Sequence, residues 1–312
     1  MTQSDPPTEP AFSLPMRTPA VPPPAPVIVH IDITALSDRG KVRENNEDAF
    51  AVFRMGRFIE RLQSNVPESD LPSRRDTAGH LMIIADGLGG HEAGDVASRT
   101  ALVTALELIM RSPRWALQLD DPATRDTEIR AMLTRARGYL TRVHTTLHEA
   151  AAADTRLAGM GTTLTGLYTL GRDAFVLHVG DSKAFRMRAG ELRQLTHDHT
   201  VAQEYADRGM ISQEEVAKHR LQHVLTRAVG GPGDHLAADM HHFALEDGDR
   251  WLLCSDGLTD MVAEPDLATV LRAHPGSSEA ARALVDLALE NGGRDNVTVI
   301  VAGFRFETPE AG

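Results

Sequence analysis

Several acidic residues of this chain share one context, an apolar run that ends in an acid followed closely by glycine. Ile83-Ile84-Ala85-Asp86-Gly87 and Leu252-Leu253-Cys254-Ser255-Asp256-Gly257 are the clearest cases. A buried strand that delivers a carboxylate into a glycine turn holds that carboxylate rigidly, and glycine lets the backbone carbonyl approach an ion. Asn45-Asn46-Glu47-Asp48 and Gly292-Gly293-Arg294-Asp295-Asn296 set further acids beside strands, one near each end of the ordered sequence. Taken singly, an Asp-Gly pair is most simply a turn. Four acidic segments in matching contexts point instead to one shared pocket. Carboxylates crowded there repel one another at neutral pH unless protons, cationic side chains or metals compensate them. Oxygen-only ligands favour hard ions, Mg²⁺ or Mn²⁺, over zinc.

The elements that must position these acids can be read from periodicity. Val27–Leu36, Asp48–Phe53 and Leu81–Ala85 have strand character, the last two leading into or out of acidic turns. Two helices follow, His91–Met110 and Asp126–Ala152; in the second, Ile129, Met132, Leu133, Ala136, Leu140, Val143 and Leu147 recur at helical spacing and predict one face packed on a sheet. Thr162–Leu170, Ala174–His178, Ala184–Arg188 and Leu192–Leu195 are short strands separated by tight glycine turns, which implies antiparallel pairing. A polar helical region at Thr200–His219 interrupts them before strands resume at Leu236–Leu245 and Arg250–Cys254. Helices at Pro265–Ala273 and Ser278–Asn291 and a final strand Val297–Phe306 complete the series. Strands in runs and helices in pairs predict an α+β fold of two antiparallel sheets with helices outside.

Composition bounds the rest. The chain has 312 residues and a formal net charge of −12, which argues against a nucleic-acid partner. Its single cysteine, Cys254, allows no internal disulfide and fits a cytoplasmic setting. The most apolar helical stretch, Ala101–Met110, is short and carries Glu107, so no membrane span is expected. Prolines crowd the first 26 residues, predicting a partly polyproline-II disordered arm over 1–27, a folded domain over 28–307 and a short tail over 308–312. Residues 54–80 read as an enlarged surface loop.

In order along the chain stand Ser37-Asp38-Arg39-Gly40-Lys41-Val42-Arg43-Glu44-Asn45-Asn46-Glu47-Asp48, Ala85-Asp86-Gly87-Leu88-Gly89-Gly90-His91, Gly161-Thr162-Thr163, Val179-Gly180-Asp181-Ser182, Leu225-Thr226-Arg227-Ala228, Ser255-Asp256-Gly257-Leu258-Thr259-Asp260 and Arg294-Asp295-Asn296-Val297-Thr298. With these motifs the chain resembles the metal-dependent protein phosphatases of type 2C, the PPM family, in their bacterial form, over about residues 30–306. The resemblance implies a four-layer α-β-β-α sandwich that hydrolyses phosphoserine and phosphothreonine with two Mn²⁺ or Mg²⁺ ions, with a third ion in bacterial members. Asp86 would bridge the two metals, the Gly87 carbonyl would bind one, and Asp256 and Asp295 the other. Glu47 and Asp48 match the pair supporting the metals, Arg43 the guanidinium that grips the substrate phosphate, and Asp181 and Asp260 the third site alongside Asp256. The implied partners are phosphorylated proteins and an opposing serine/threonine kinase with its substrates, met by a monomer. Thr196–Gly230 resembles the flap flanking the active site. Leu88 departs from the eukaryotic pattern, which places a proton-donating histidine there, so the general acid stays unassigned and His91 receives no role.

Other chemistries fit less well. A cysteine phosphatase needs arginine six residues after its nucleophile, and Asp260 stands there instead. Gly180-Asp181-Ser182 has no partner histidine motif to make it an esterase, and Gly87–Gly94 lacks a P-loop ending. His197 and His199, alternating in a loop, read as ordinary polar positions. A non-catalytic phosphoprotein-binding module is the remaining rival, but such a module should have lost metal acids that this chain retains.

Overall fold

A computed structural model describes residues 28–56, 78–89, 92–112, 119, 122–232 and 236–307. The predicted arm 1–27, the tail 308–312, most of the loop 54–80, and His91 lie outside the described residues.

Two antiparallel sheets form the centre. One carries β1 (Ile28–Asp38), β11 (Val297–Glu307), β10 (Arg250–Cys254), β7 (Lys183–Arg188) and β8 (Glu191–Gln194), in that order. The other runs β2 (Asp48–Met55), β3 (Gly79–Leu88), β5 (Leu164–Leu170), β6 (Asp173–Val179) and β9 (Asp239–Ala244), with β4 (Gly161–Thr162) pairing the end of β3. Helices α1 (Glu92–Arg111) and α2 (Arg125–Ala153) cover the second sheet, while α6 (Glu264–Ala273) and α7 (Ser277–Glu290) cover the first. Short helices α3 (Val201–Asp207) and α4 (Gln213–Val216) lie in the flap, and α5 (Asp256–Thr259) follows β10. The α+β reading holds, with four layers.

Strand alternation explains both the layers and the site. In β3, Leu81, Ile83 and Ala85 pack towards α1 and α2, whereas Met82 and Ile84 enter the layer between the sheets. In β10, Leu252 and Cys254 face the second helix pair, and Trp251 and Leu253 face inward; β11 repeats this with Val297, Val299 and Val301 outward and Ile300, Ala302 and Phe304 inward. Each fully buried large side chain contributes about 1.5–3 kcal/mol relative to exposure, so the inner layer holds the sheets face to face. Carried one step further, the alternation turns Asp86 towards the inter-sheet side at the mouth of the sandwich. The register places Asp48 opposite Asp86, Asp38 opposite Val297 and Cys254 opposite Lys183. The β2 start, the β3 and β10 ends, the β11 start and the β6–β7 turn therefore meet at one end of the molecule.

Some local expectations shift. The strand predicted over Thr162–Leu170 breaks at Thr163, whose amide turns away to donate to the Asp86 carbonyl at 2.8 Å. The helical region at 200–219 divides into α3 and α4, and the strand predicted from Leu236 starts at Asp239. Helix α5 was not anticipated.

Candidate active site

Asp86 is fixed by its backbone. Its N–H donates to Thr163 Oγ1 at 2.9 Å, and its carbonyl accepts from the Thr162 hydroxyl and the Thr163 amide, each at 2.8 Å. The two threonines that break the strand thus hold the central acid in place. Gly87 leaves no room for a side chain, since a Cβ would lie 2.1 Å from the Gly94 carbonyl oxygen and 2.9 Å from that of Glu47. Glu47 lays its carboxylate over Gly94, where a Cβ would stand 2.2 Å from Oε2. These glycines let the β2 start, the β3 end and the α1 start close on one another.

Asn296 ties the opposite wall. Its Oδ1 accepts from the Glu47 amide at 2.8 Å, and its Nδ2 donates to the carbonyls of Arg39 at 2.8 Å and Asn45 at 2.9 Å. One buried amide thereby pins the loop carrying Arg43 to the start of β11. Arg43 donates to Asp295 Oδ2 at 2.5 Å, and its side chain remains 54% exposed. Ser255 donates to Asp48 Oδ2 at 2.7 Å and accepts from the Thr298 amide at 3.0 Å, joining the two sheets beneath the acids.

The electrostatics follow from crowding. Burial first, then the charges of Asp48, Asp256, Asp181 and Asp295, raise the Asp86 pKa well above the ordinary carboxylate value. Asp48 is pushed up to about 7 by burial and by Asp256 and Asp295, against hydrogen bonds from Thr298 and Ser255. Asp181 is raised well above normal by burial and by Asp256. Asp260 rises to about 6, again through burial and Asp256. Burial also works against ionisation of Asp256, but the hydrogen bond and charge of His223 more than offset it and hold the pKa low. The predicted acids are thus brought within electrostatic reach of one another. Asp48 Oδ1 is buried with no hydrogen-bond partner among the described residues. An orphaned carboxylate oxygen among crowded acids, beside glycines that let carbonyls approach, fits the donor set of hard divalent ions.

A model of the protein phosphatase 2C family matches residues 60–290. The chain belongs to this family. The serine/threonine protein phosphatase PstP of Mycobacterium tuberculosis H37Rv is 34% identical over 268 residues, covering 86% of this chain; the chain spans 44% of that relative's length. The serine/threonine phosphatase stp of Listeria monocytogenes EGD-e is 33% identical over 272 residues, 85% of this chain and 92% of that one. The catalytic domain of PstP, solved with two manganese ions, superposes with a TM-score of 0.68 at 31% identity, covering 89% of this chain and all of that one. The chain thus has the type 2C phosphatase fold, from a family of metal-dependent phosphoprotein hydrolases.

Two features of this phosphatase fold escaped sequence reasoning. His199 is not an ordinary loop position: it is 3% exposed, accepts from the Gly180 amide at 3.1 Å through Nδ1, and faces Asp239 at 3.3 Å through Nε2. It clamps the flap to the Gly180–Asp181 turn, whereas His197 pairs with Asp207 near the surface. His223 is the second. Its Nδ1 lies 3.5 Å from Asp256 Oδ2 and its Nε2 3.5 Å from Asp260 Oδ2. The Asp256 carboxylate, which accepts from the ring, and the charges of Asp260, Asp256 and Asp181 raise its pKa to about 9 against burial. Neither histidine has a local pattern that sets it apart from other polar flap residues.

Proposed function

We propose that this protein hydrolyses phosphoserine and phosphothreonine in phosphorylated proteins, using two Mn²⁺ or Mg²⁺ ions held by Asp86, the Gly87 carbonyl, Asp256 and Asp295, with Glu47 and Asp48 in support. The observation that carries this reading is the convergence of Asp48, Asp256 and Asp295 from separate elements within electrostatic reach of Asp86, with Asp48 Oδ1 unpartnered among the described residues. Divalent ions bound there lower the pKa of water and neutralise phosphate charge. Thr162 and Thr163 keep Asp86 in a single orientation, which limits the reorganisation required during reaction. Arg43, half exposed beside Asp295, presents a planar fork suited to two phosphate oxygens. Leu88 has no ionisable proton, so the leaving serine or threonine oxygen is not protonated by a side chain at that position.

The two manganese ions in the structure of the PstP catalytic domain support manganese as a working metal and a two-ion count. We read the protein as a cytoplasmic monomer that opposes a serine/threonine kinase; the single cysteine speaks for a reducing compartment, and the serine/threonine phosphatase names of the relatives for the opposing kinase.

Phosphate release from a phosphothreonine peptide, measured on protein stripped of metal and then reloaded, tests the proposal. Turnover should vanish with chelator and return with Mn²⁺ or Mg²⁺. Chelator-resistant turnover overturns the metal mechanism, and no turnover at saturating Mn²⁺ favours a phosphoprotein-binding module.

A further inference from the structure

Between helices α1 and α2 and the second sheet lies an apolar cavity of about 130 Å³, with Leu81 and Ile83 of β3, Leu164 of β5, Phe175 of β6, Ile109 of α1 and Met132 of α2 among its walls. One charged side chain reaches the same wall. Arg135 shares the cavity-facing side of α2 with Met132, Ala136 and Tyr139, and its Nη2 is buried with no hydrogen-bond partner among the described residues. Helical spacing explains the isolation: the positions three and four residues to either side of Arg135 hold Ala131, Met132, Gly138 and Tyr139, none of them an acid. Other arginines of the two helices are paired, Arg99 with Asp95 and Arg125 with Asp173. No acidic residue stands among the described walls of the cavity. A guanidinium nitrogen buried without an acceptor is costly to keep unless a ligand compensates it.

We propose that this cavity is a binding site for a small monocarboxylate, whose apolar tail lies between the helices and the sheet and whose carboxylate accepts from Arg135 Nη2. The site is separate from the metal centre and does not depend on the phosphatase reading. Size and charge select the ligand. An apolar cavity of about 150 Å³ holds a molecule the size of benzene, so this one admits a tail of about six carbon atoms. One carboxylate neutralises one guanidinium. A phosphate dianion would bring a second, uncompensated charge among apolar walls, and a neutral apolar molecule would leave Nη2 without an acceptor.

The cavity backs onto the elements that hold the central acid. Strand β3 runs on from Ile83 to Asp86, and Leu164 directly follows Thr163, whose hydroxyl accepts from the Asp86 amide at 2.9 Å. On α2 the wall residue Val143 precedes His144, whose Nδ1 accepts from the Gly230 amide at 3.0 Å, at the end of the flap. A ligand in the cavity therefore packs on the strands that carry Asp86 and Thr163, and on the helix that meets the flap, without touching the acids themselves.

The test uses the full chain stripped of metal, so that no carboxylate binds through an ion. Calorimetric titration with the straight-chain acids from butanoate to decanoate should show affinity rising about fourfold per methylene until the tail reaches about six carbons, then falling. Hexanol, which has no charge to offer, should bind the wild type at least about tenfold more weakly than hexanoate. Arg135→Met keeps an unbranched stem and should lose that preference, with hexanoate weakened about tenfold or more and hexanol retained. Ala136→Leu places added bulk on the same side of α2 and should weaken both. Far-UV circular dichroism reports whether each variant is folded, and the acid series and the hexanol comparison need the wild type alone. Hexanoate bound no better than hexanol, equal hexanoate affinity in folded Arg135→Met, affinity that climbs on through decanoate, or no binding by the wild type overturns the proposal. Each of these results leaves the two-ion reading untouched.

Discussion

Replacing Asn296 with alanine should damage stability and activity together, because one side chain holds the wall on which Arg43 stands. The variant loses three hydrogen bonds, to the Glu47 amide and to the Arg39 and Asn45 carbonyls. At about 0.5–1.5 kcal/mol net for each bond, the expected cost is about 3 kcal/mol. In a domain of this size that lowers Tm by roughly 6–12 °C. Urea titration followed by far-UV circular dichroism gives the stability, and phosphopeptide turnover on the same samples gives kcat/KM. Asn291→Ala is the control: its amide makes one exposed bond, to the Met261 carbonyl at 2.8 Å, and its loss should cost no more than about 1 kcal/mol. A loss below about 1 kcal/mol for Asn296→Ala would refute the pinning argument. So would the full stability loss with unchanged kcat/KM, since the loop would then hold Arg43 without Asn296.

Gly87→Ala should lower kcat about 100-fold, the scale of a displacement of about 1 Å at a reacting centre. Its Cβ meets the Gly94 carbonyl oxygen at 2.1 Å and cannot be accommodated without moving the β3 end; a fully active variant contradicts the packing. His178 supplies a pH dependence. Buried, it accepts from Thr165 at 2.9 Å through Nδ1 and donates to the His197 carbonyl at 3.1 Å through Nε2. Burial, with help from His199, lowers its pKa from 6.5 to about 3. The unfolded chain therefore takes the proton first, so this contribution is complete above about pH 6.5 and is lost as pH falls towards 3. At pH 5 the loss is about 2 kcal/mol relative to pH 7. His178→Asn should flatten the slope of unfolding free energy between pH 7 and 5, and equal slopes would contradict the assignment.

The strand-borne acids were legible because two signals coincide at them. Alternating burial sets which face of β3 and β10 turns inward, and the glycine that follows marks where the strand must end against other backbone. Asp86 and Asp256 therefore stand out in a single sequence, and Asp48 and Asp295 follow once strands are placed beside them. Helix α5 was illegible because four residues, one of them Gly257, carry no periodicity. The break at Thr163 was hidden for a different reason: an unbroken β-rich run conceals a threonine pair whose hydroxyl and amide serve the Asp86 backbone. His223 could not be found from spacing, since it is half exposed in an irregular segment and gains its meaning from Asp181 and Asp256, each more than thirty residues away in sequence.

Turnover of a phosphothreonine peptide by Asp86→Ala, at saturating Mn²⁺ and beside the wild type, tests the central claim most directly. Asp86 sits where the charges of four other carboxylates converge. Removing it should abolish phosphate release while the circular dichroism spectrum stays that of the folded protein, because the cluster loses a repelling charge rather than a packing group. Turnover within a few-fold of the wild type would mean that the clustered aspartates do not carry the reaction.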